Sequence, residues 1–353
     1  MSIMLDEIRQ QPETLERTLR SGLRAAAELH KQLQKRRPRL IVLAARGTSD
    51  NAAHFGRYLL EITTGIPVSL SAPSIITLYG SKVGFQDVLV VAVSQSGEST
   101  DTNLVLQRAR EQGALNVGIT NESSSSLARH ADHVLLVRAG KERSVAATKT
   151  YTGQLLMFYL LAHALGGRIH LDDLYRIPLL ASASLGIADD IADIVVRYRF
   201  MHDTVVVGRG LNYANALEFA LKLKETCYVV AEGFSVADFL HGPIAMVEES
   251  FPVFAFAPPG VTWPGMREMI YNLRRRSAET LVVTDEGNRE ALALGERKIR
   301  VPVKIGRDGH GVGDLYSPIP YIVPMQLFAA MLAHEKGLNP DKPRTLSKVT
   351  RTL

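Results

Sequence analysis

The chain has 353 residues, 46% of them apolar and 22% charged, enough for two domains of ordinary size with separate cores. Its formal charge of +5, from 41 basic against 36 acidic residues, is scattered; with no concentrated basic face interleaved with aromatics, nucleic-acid binding is not expected, whereas an anionic small molecule is compatible. The single cysteine, Cys227, excludes a disulfide framework, a cysteine-based metal site and a CxxC redox pair.

In chain order, residues 1–36 alternate charge with apolar residues at helical spacing and lack the continuous apolar stretch of a signal peptide. An N-terminal helical segment and a cytoplasmic location are therefore expected. Residues 39–45 form a short apolar run that ends at Arg46-Gly47-Thr48-Ser49, before a helical pattern over 51–63. Residues 88–93 repeat the arrangement, breaking into Ser94-Gln95-Ser96-Gly97-Glu98-Ser99 ahead of a helix over 100–112. A strand over 115–119, a serine-rich loop, a short helix over 127–130 and a strand over 134–137 follow. Continuous apolar strands alternating with helices predict a parallel sheet covered on both faces. The longest apolar stretch, 155–166, is interrupted by His163 and is too short to span a bilayer, so it reads as a buried helix.

The pattern then recurs. Residues 204–207 run into Gly208-Arg209-Gly210 and a helix over 213–229; 253–257 enter Pro258-Pro259-Gly260, and 280–284 read as a further strand. Only the first copy carries a hydroxyl-rich loop after its central strand. The expected organisation is a helical segment at 1–36, a first α/β domain at 37–180, a second at 181–330, and a helix end with a tail at 331–353.

Four places carry candidate chemistry. The loop at 94–99 joins a buried strand to a helix N-terminus and brings hydroxyls, backbone N–H groups and a glycine together. That composition suits a phosphate, and it equally suits a plain N-cap. Neither a Walker loop nor a dinucleotide GxGxxG is present. Next, Lys222 and Glu225 lie three apart, with Glu218 four before Lys222, so the three share a helix face. Spacing alone leaves open a solvated salt-bridge edge or a carboxylate serving as a proton-transfer base. Finally, His241 in Phe239-Leu240-His241-Gly242-Pro243 fits a loop-stabilising role, and the tail 343–350 reads either as a frayed end or as a pocket cover. No HxxxH, HExxH or clustered carboxylates indicate a metal.

Together these segments resemble the sugar isomerase (SIS) family, specifically the isomerase half of glucosamine-6-phosphate synthase. The resemblance runs nearly the length of the chain and rests on motifs in family order: Arg46-Gly47-Thr48-Ser49, Ser94-Gln95-Ser96-Gly97-Glu98, Ser144-Val145-Ala146-Ala147-Thr148-Lys149, Ala220-Leu221-Lys222-Leu223-Lys224-Glu225, His241-Gly242-Pro243 and Pro343-Arg344-Thr345-Leu346-Ser347-Lys348. It implies two tandem SIS domains, each a flavodoxin-like parallel sheet flanked by helices, working without metal or organic cofactor.

By that resemblance Ser94, Gln95, Ser96 and Ser99 hold a sugar phosphate, and Arg46, Ser49, the Val145 backbone and Ser347 contact the sugar. Glu225 moves a proton between C1 and C2, and Lys222 and Lys348 surround the open-chain substrate. His241, which the family takes from the neighbouring subunit, assists ring opening, so a homodimer is implied.

Departures refine the expectation. The synthase carries a glutaminase domain with an N-terminal nucleophilic cysteine, whereas this chain opens Met1-Ser2-Ile3-Met4 and reaches its first sugar domain near Arg39. Glutamine hydrolysis by that route is not expected. Arg46 stands where the synthase loop has cysteine, Ala147 where it has serine and Ser347 where it has alanine. Ala45-Arg46-Gly47-Thr48-Ser49-Asp50 and the run from Ala139 to Lys149 look more like stand-alone SIS-type glucosamine-6-phosphate deaminases. The leading expectation is therefore conversion of glucosamine 6-phosphate to fructose 6-phosphate and ammonia. A fructosamine-6-phosphate deglycase or another phosphosugar isomerase is the alternative. A non-catalytic sugar-phosphate sensor is more distant, since such regulators join one SIS unit to a DNA-binding domain, and this chain has two units and no basic helix-turn-helix.

Overall fold

Two five-stranded sheets, with every strand pair parallel, organise the computed structural model, which describes residues 2–303 and 315–348. The first sheet holds β1 (Leu40–Ala44), β2 (Val68–Leu70), β3 (Val88–Val93), β4 (Leu115–Thr120) and β5 (His133–Leu136) in the order β2-β1-β3-β4-β5. The second holds β6 (Asp203–Gly208), β7 (Val230–Ser235), β8 (Pro252–Phe256), β9 (Glu279–Asp285) and β10 (Arg297–Val301) in the order β10-β9-β8-β6-β7. Read from its other edge, the second order repeats the first. In each sheet the connections diverge between the first and third strands, β1 and β3 or β6 and β8. Open parallel sheets present their ligand crevices at that place, beyond the carboxyl ends of the strands.

The central strands are buried almost throughout and mostly apolar, as expected of a parallel sheet covered on both faces. All of β3, β8 and β9 is buried. Edge strands differ: β10 reads Arg-Lys-Ile-Arg-Val, with only Ile299 and Val301 inside.

Contacts divide the chain into two compact units. One comprises Glu13–Glu142, Ala147–Arg176 and the tail from Thr345; the other comprises Met1–Pro12, Arg143–Ala146 and Ile177–Arg344. They are interleaved in sequence, whereas a linear division at 37, 181 and 331 was expected. In the first unit the helix Lys149–Ala164 is buried along almost its whole length, polar in its first turns and mainly apolar from Leu155 onward, and Phe55 meets Phe158 and Tyr159 edge-on. In the second unit the helix Pro318–Glu335 plays the same part, with Tyr198, Phe219, Phe254 and Phe328 forming an aromatic cluster. Among the described residues no helix is long and apolar enough to cross a membrane.

The helix expected over 213–229 is shorter. It runs Tyr213–Lys222 and then widens into a π-helical turn, Leu223–Cys227, which ends at Tyr228 with φ of 54°. A left-handed tyrosine is uncommon, and it stops the helix where a glycine would ordinarily be found.

Candidate functional site

In the first unit, β3 delivers the chain into the loop 94–99 at the switch point, and the helix Thr100–Glu111 begins directly after it. The loop is fixed from all sides. The Ser94 hydroxyl accepts from the Gly97 N–H (3.1 Å), and the Ser96 hydroxyl from the Glu98 N–H (3.3 Å). The carbonyl of Gln95 accepts from the Asn121 N–H and the Thr120 hydroxyl, and that of Gly97 from the Leu127 N–H and the Asn103 amide. Glu98 turns outward and accepts from the backbone N–H and hydroxyl of Ser126. Gly97 is required: its φ is +66°, and a Cβ there would lie 2.2 Å from the Ser125 hydroxyl oxygen.

Ser99 occupies the N-cap position, yet its side chain makes no capping hydrogen bond; its hydroxyl pairs instead with that of Thr102 at 2.9 Å. Thr102 lies in the first turn of the same helix, so Ser99 engages that turn through a side chain, an arrangement compatible with either reading of the loop. Arg46, from the loop after β1, reaches the first turn of the same helix and ion-pairs with the buried Asp101 at 2.7 Å. Its half-exposed guanidinium thereby places a positive charge beside the leading turn. Ser49 is buried on the helix Thr48–Thr64 and accepts from the Gln154 amide at 3.0 Å.

The second unit holds the charged helix face. Lys222 is only 1% exposed, with its ammonium 2.5 Å from Glu225 and 3.3 Å from the wholly buried Glu218. The solvated-edge reading of this triplet therefore fails. Burial by itself pushes the Lys222 ammonium pKa down, but the two carboxylates outweigh it and hold the pKa well above the ordinary lysine value. Lys222 thus remains a cation at neutral pH. Glu225 lies on the π-helical turn and is 22% exposed. One carboxylate is consequently locked inside, while the other is held by the same ammonium at the edge of solvent.

Directly after that turn, the Tyr228 hydroxyl accepts from the Arg344 N–H (2.8 Å), and the Arg344 guanidinium lies 4.4 Å over the Tyr228 ring. The base of the tail is thereby tied to the segment bearing Glu225. His241 caps the short helix Val236–Leu240; it is exposed and its side chain forms no hydrogen bond or ion pair among the described residues. Val145 lies in the stretch 143–146, where the N–H groups of Arg143 and Ser144 donate to the buried Glu7 carboxylate. At the tail, Ser347 is exposed and Lys348 pairs with Glu142 in the first unit; residues 349 and 350 of the expected tail lie outside the described residues.

Sequence reading did not single out Asp101, Gln154, Tyr228 or Glu142. Each acts through a partner far along the chain, so no local spacing marks it. Among the described residues no group of three or more His, Cys, Asp or Glu is arranged to hold a metal ion.

Comparison with known proteins adds the lineage. The SIS domain matches residues 33–164 and 201–310. The glutamine–fructose-6-phosphate aminotransferase (isomerizing) of Pyrococcus horikoshii is 36% identical over 351 residues, covering 98% of this chain and 57% of that protein. The chain therefore spans little more than half the length of such relatives. Among solved structures, the C-terminal domain of glucosamine-fructose-6-phosphate aminotransferase from Francisella tularensis superposes with a TM-score of 0.85 at 28% identity, over 97% of this chain and 98% of that one. A protein of Silicibacter pomeroyi DSS-3, described as a candidate phosphosugar isomerase, gives 0.83 at 31% identity over 97% and 100%. Two sheets of one topology, each falling within a matched segment, make this chain a member of the SIS domain family with two tandem SIS domains.

Proposed function

We propose that the chain is a phosphosugar isomerase-type enzyme acting on an amino sugar, releasing ammonia from glucosamine 6-phosphate to give fructose 6-phosphate. The observation that carries this reading is the Lys222-held, partly exposed carboxylate of Glu225. A carboxylate fixed by a buried cation yet open to one side can take a proton from carbon and return it to the neighbouring carbon without reorienting.

In the open-chain substrate, with an aldehyde at C1 and an amine at C2, Glu225 removes the C2 proton. The electron pair forms the C1–C2 double bond of an enolamine while the C1 oxygen gains a proton. Return of the proton to C1 leaves a ketimine at C2; water adds there and ammonia departs, giving the C2 ketone of fructose 6-phosphate. Ser94, Gln95, Ser96 and Ser99 bind the phosphate in this reading, and Arg46 supports the site's positive potential. Lys222 and Lys348 stabilise the negative charge that develops on the C1 oxygen as the C2 proton leaves. Ser49, Val145 and Ser347 contact the sugar, and His241 of a second copy assists ring opening in a homodimer.

Support for an amino-sugar substrate comes from the relatives, whose names specify fructose 6-phosphate and glucosamine. The deaminase direction is supported by the Arg46 loop and the 139–149 segment, which resemble the stand-alone deaminases. Purified protein incubated with glucosamine 6-phosphate is expected to release one equivalent of ammonia and to exchange substrate hydrogen with deuterated solvent. Exchange without ammonia would leave a plain isomerase and remove the deaminase; neither signal with any amino- or keto-sugar phosphate would remove both.

A further inference from the structure

Glu142 lies between β5 and the helix Lys149–Ala164, and its side chain is fully buried. One carboxylate oxygen accepts from the N–H groups of Thr148 (2.9 Å) and Thr150 (3.2 Å); the other accepts from the Thr150 hydroxyl (2.5 Å). All three donors sit at the start of that helix, where the aligned peptide dipoles favour a negative charge. Glu142 is therefore held by backbone, and it cannot swing away without leaving those donors unmatched in a buried place.

The oxygen that meets Thr150 also lies 3.3 Å from the Lys348 ammonium, 206 residues later in the chain. Lys348 is 25% exposed, so its ammonium sits at the boundary, one side on an immovable acceptor. An exposed pair between two long side chains restrains little. A pair with one member locked in the protein restrains the other member, and with it the segment that carries it. Four residues upstream, the same tail is fixed at Arg344 by Tyr228.

We infer that Glu142 is a positioning residue for the reaction: by fixing the Lys348 ammonium it sets where the tail presents that cation to the substrate. The inference rests on the sugar-phosphate reading above. It assigns Glu142 two tasks in one carboxylate, closing the start of a helix and anchoring the tail, and only the second bears on turnover.

Glu142→Gln keeps an acceptor for Thr148 and Thr150 and removes the charge that Lys348 meets. Its kcat on glucosamine 6-phosphate is expected to fall roughly 10- to 100-fold, with KM changed less than about threefold. Hydrogen–deuterium exchange of a peptide covering 343–348 is expected to rise. In a Lys348→Ala background the same substitution should lower kcat by less than about twofold, because the partner is already gone. Thr150→Val, which removes one donor and leaves the Lys348 partner in place, should lower Tm and keep kcat within about twofold of wild type. Wild-type kcat and tail protection in a folded Glu142→Gln protein would overturn the inference. So would an equal loss in both backgrounds, or a loss in Thr150→Val as large as in Glu142→Gln, since Glu142 would then act through the helix alone. A wild-type protein that turns over no sugar phosphate would overturn the functional reading instead. Tail exchange, measured without substrate, then decides the anchoring by itself.

Discussion

After β3 the chain runs through Ser94-Gln95-Ser96-Gly97-Glu98-Ser99; after β8, the corresponding strand of the second sheet, it runs through Ala257-Pro258-Pro259-Gly260-Val261-Thr262. Both loops leave the switch point of the same topology and both lead into a helix. The first offers hydroxyls and N–H groups; the second has two prolines, which have no N–H to offer. Its Ala257 carbonyl is taken up internally by Thr284 and Asn288, and nearby Asp285 receives the Tyr321 hydroxyl, burial pushing that carboxyl up. The helices that follow the first strands differ in the opposite sense. Thr48–Thr64 is regular, whereas Tyr213–Lys222 buries a lysine and breaks into the turn bearing Glu225. One scaffold repeated twice thus carries a loop rich in hydroxyls and N–H groups in one copy and a helix with a buried lysine held by two carboxylates in the other, the two features that the proposed function assigns to anion binding and proton transfer. The chemistry belongs to these local departures, not to the shared fold.

The comparison breaks hardest at Lys222. Lys222→Met leaves Glu218 buried without its cation, and urea unfolding should show a loss of about 3–5 kcal/mol; a loss under about 1 kcal/mol would mean the triplet behaves as a surface bridge. Glu225→Gln comes next. It keeps shape and a hydrogen bond to Lys222, so the fold should survive while turnover drops roughly 100-fold or more at little-changed KM. Solvent-hydrogen exchange into the substrate that continued at the wild-type rate would assign the proton transfer elsewhere. Ser96→Ala in the first loop should weaken apparent sugar-phosphate affinity by about 1.5–3 kcal/mol, the scale of one hydrogen bond to a charged group. The smallest effect is expected in the second loop. The Thr262 hydroxyl oxygen is buried with no hydrogen-bond partner among the described residues, so Thr262→Val should leave KM unchanged and shift stability between zero and a gain of about 1 kcal/mol. A KM change matching that of Ser96→Ala would show that both loops bind substrate.

The fold was largely legible because β1, β3, β4, β6, β8 and β9 are apolar runs bounded by glycine, serine or proline. Three strands escaped that reading. β2 is three residues long, β7 carries Glu232 and Gly233 at an edge, and β10 buries only alternate residues beneath arginines and a lysine. The loop at 94–99 was placed correctly relative to strand and helix, but a hydroxyl-rich turn ahead of a helix has the same composition whether it caps that helix or holds an anion. The Lys222 triplet was visible as a spacing; an i, i+3, i+4 pattern is identical on a wet face and a dry one, and tertiary packing decides which. The π-helical turn and the pairs Arg46–Asp101 and Lys348–Glu142 depend on distant partners and leave no periodic trace.

Cys227, the chain's one cysteine, occupies the last position of the turn that carries Glu225. Its thiol donates to the Ala329 carbonyl, and burial pushes its pKa up to about 11, so in the native state it is both shielded and protonated. A thiol-reactive reagent therefore reacts only through excursions that open this turn. The wild-type protein accordingly contains a built-in clock: the rate at which a single label appears, with and without sugar phosphate, reads how often the segment bearing Glu225 comes undone and how far occupancy slows it.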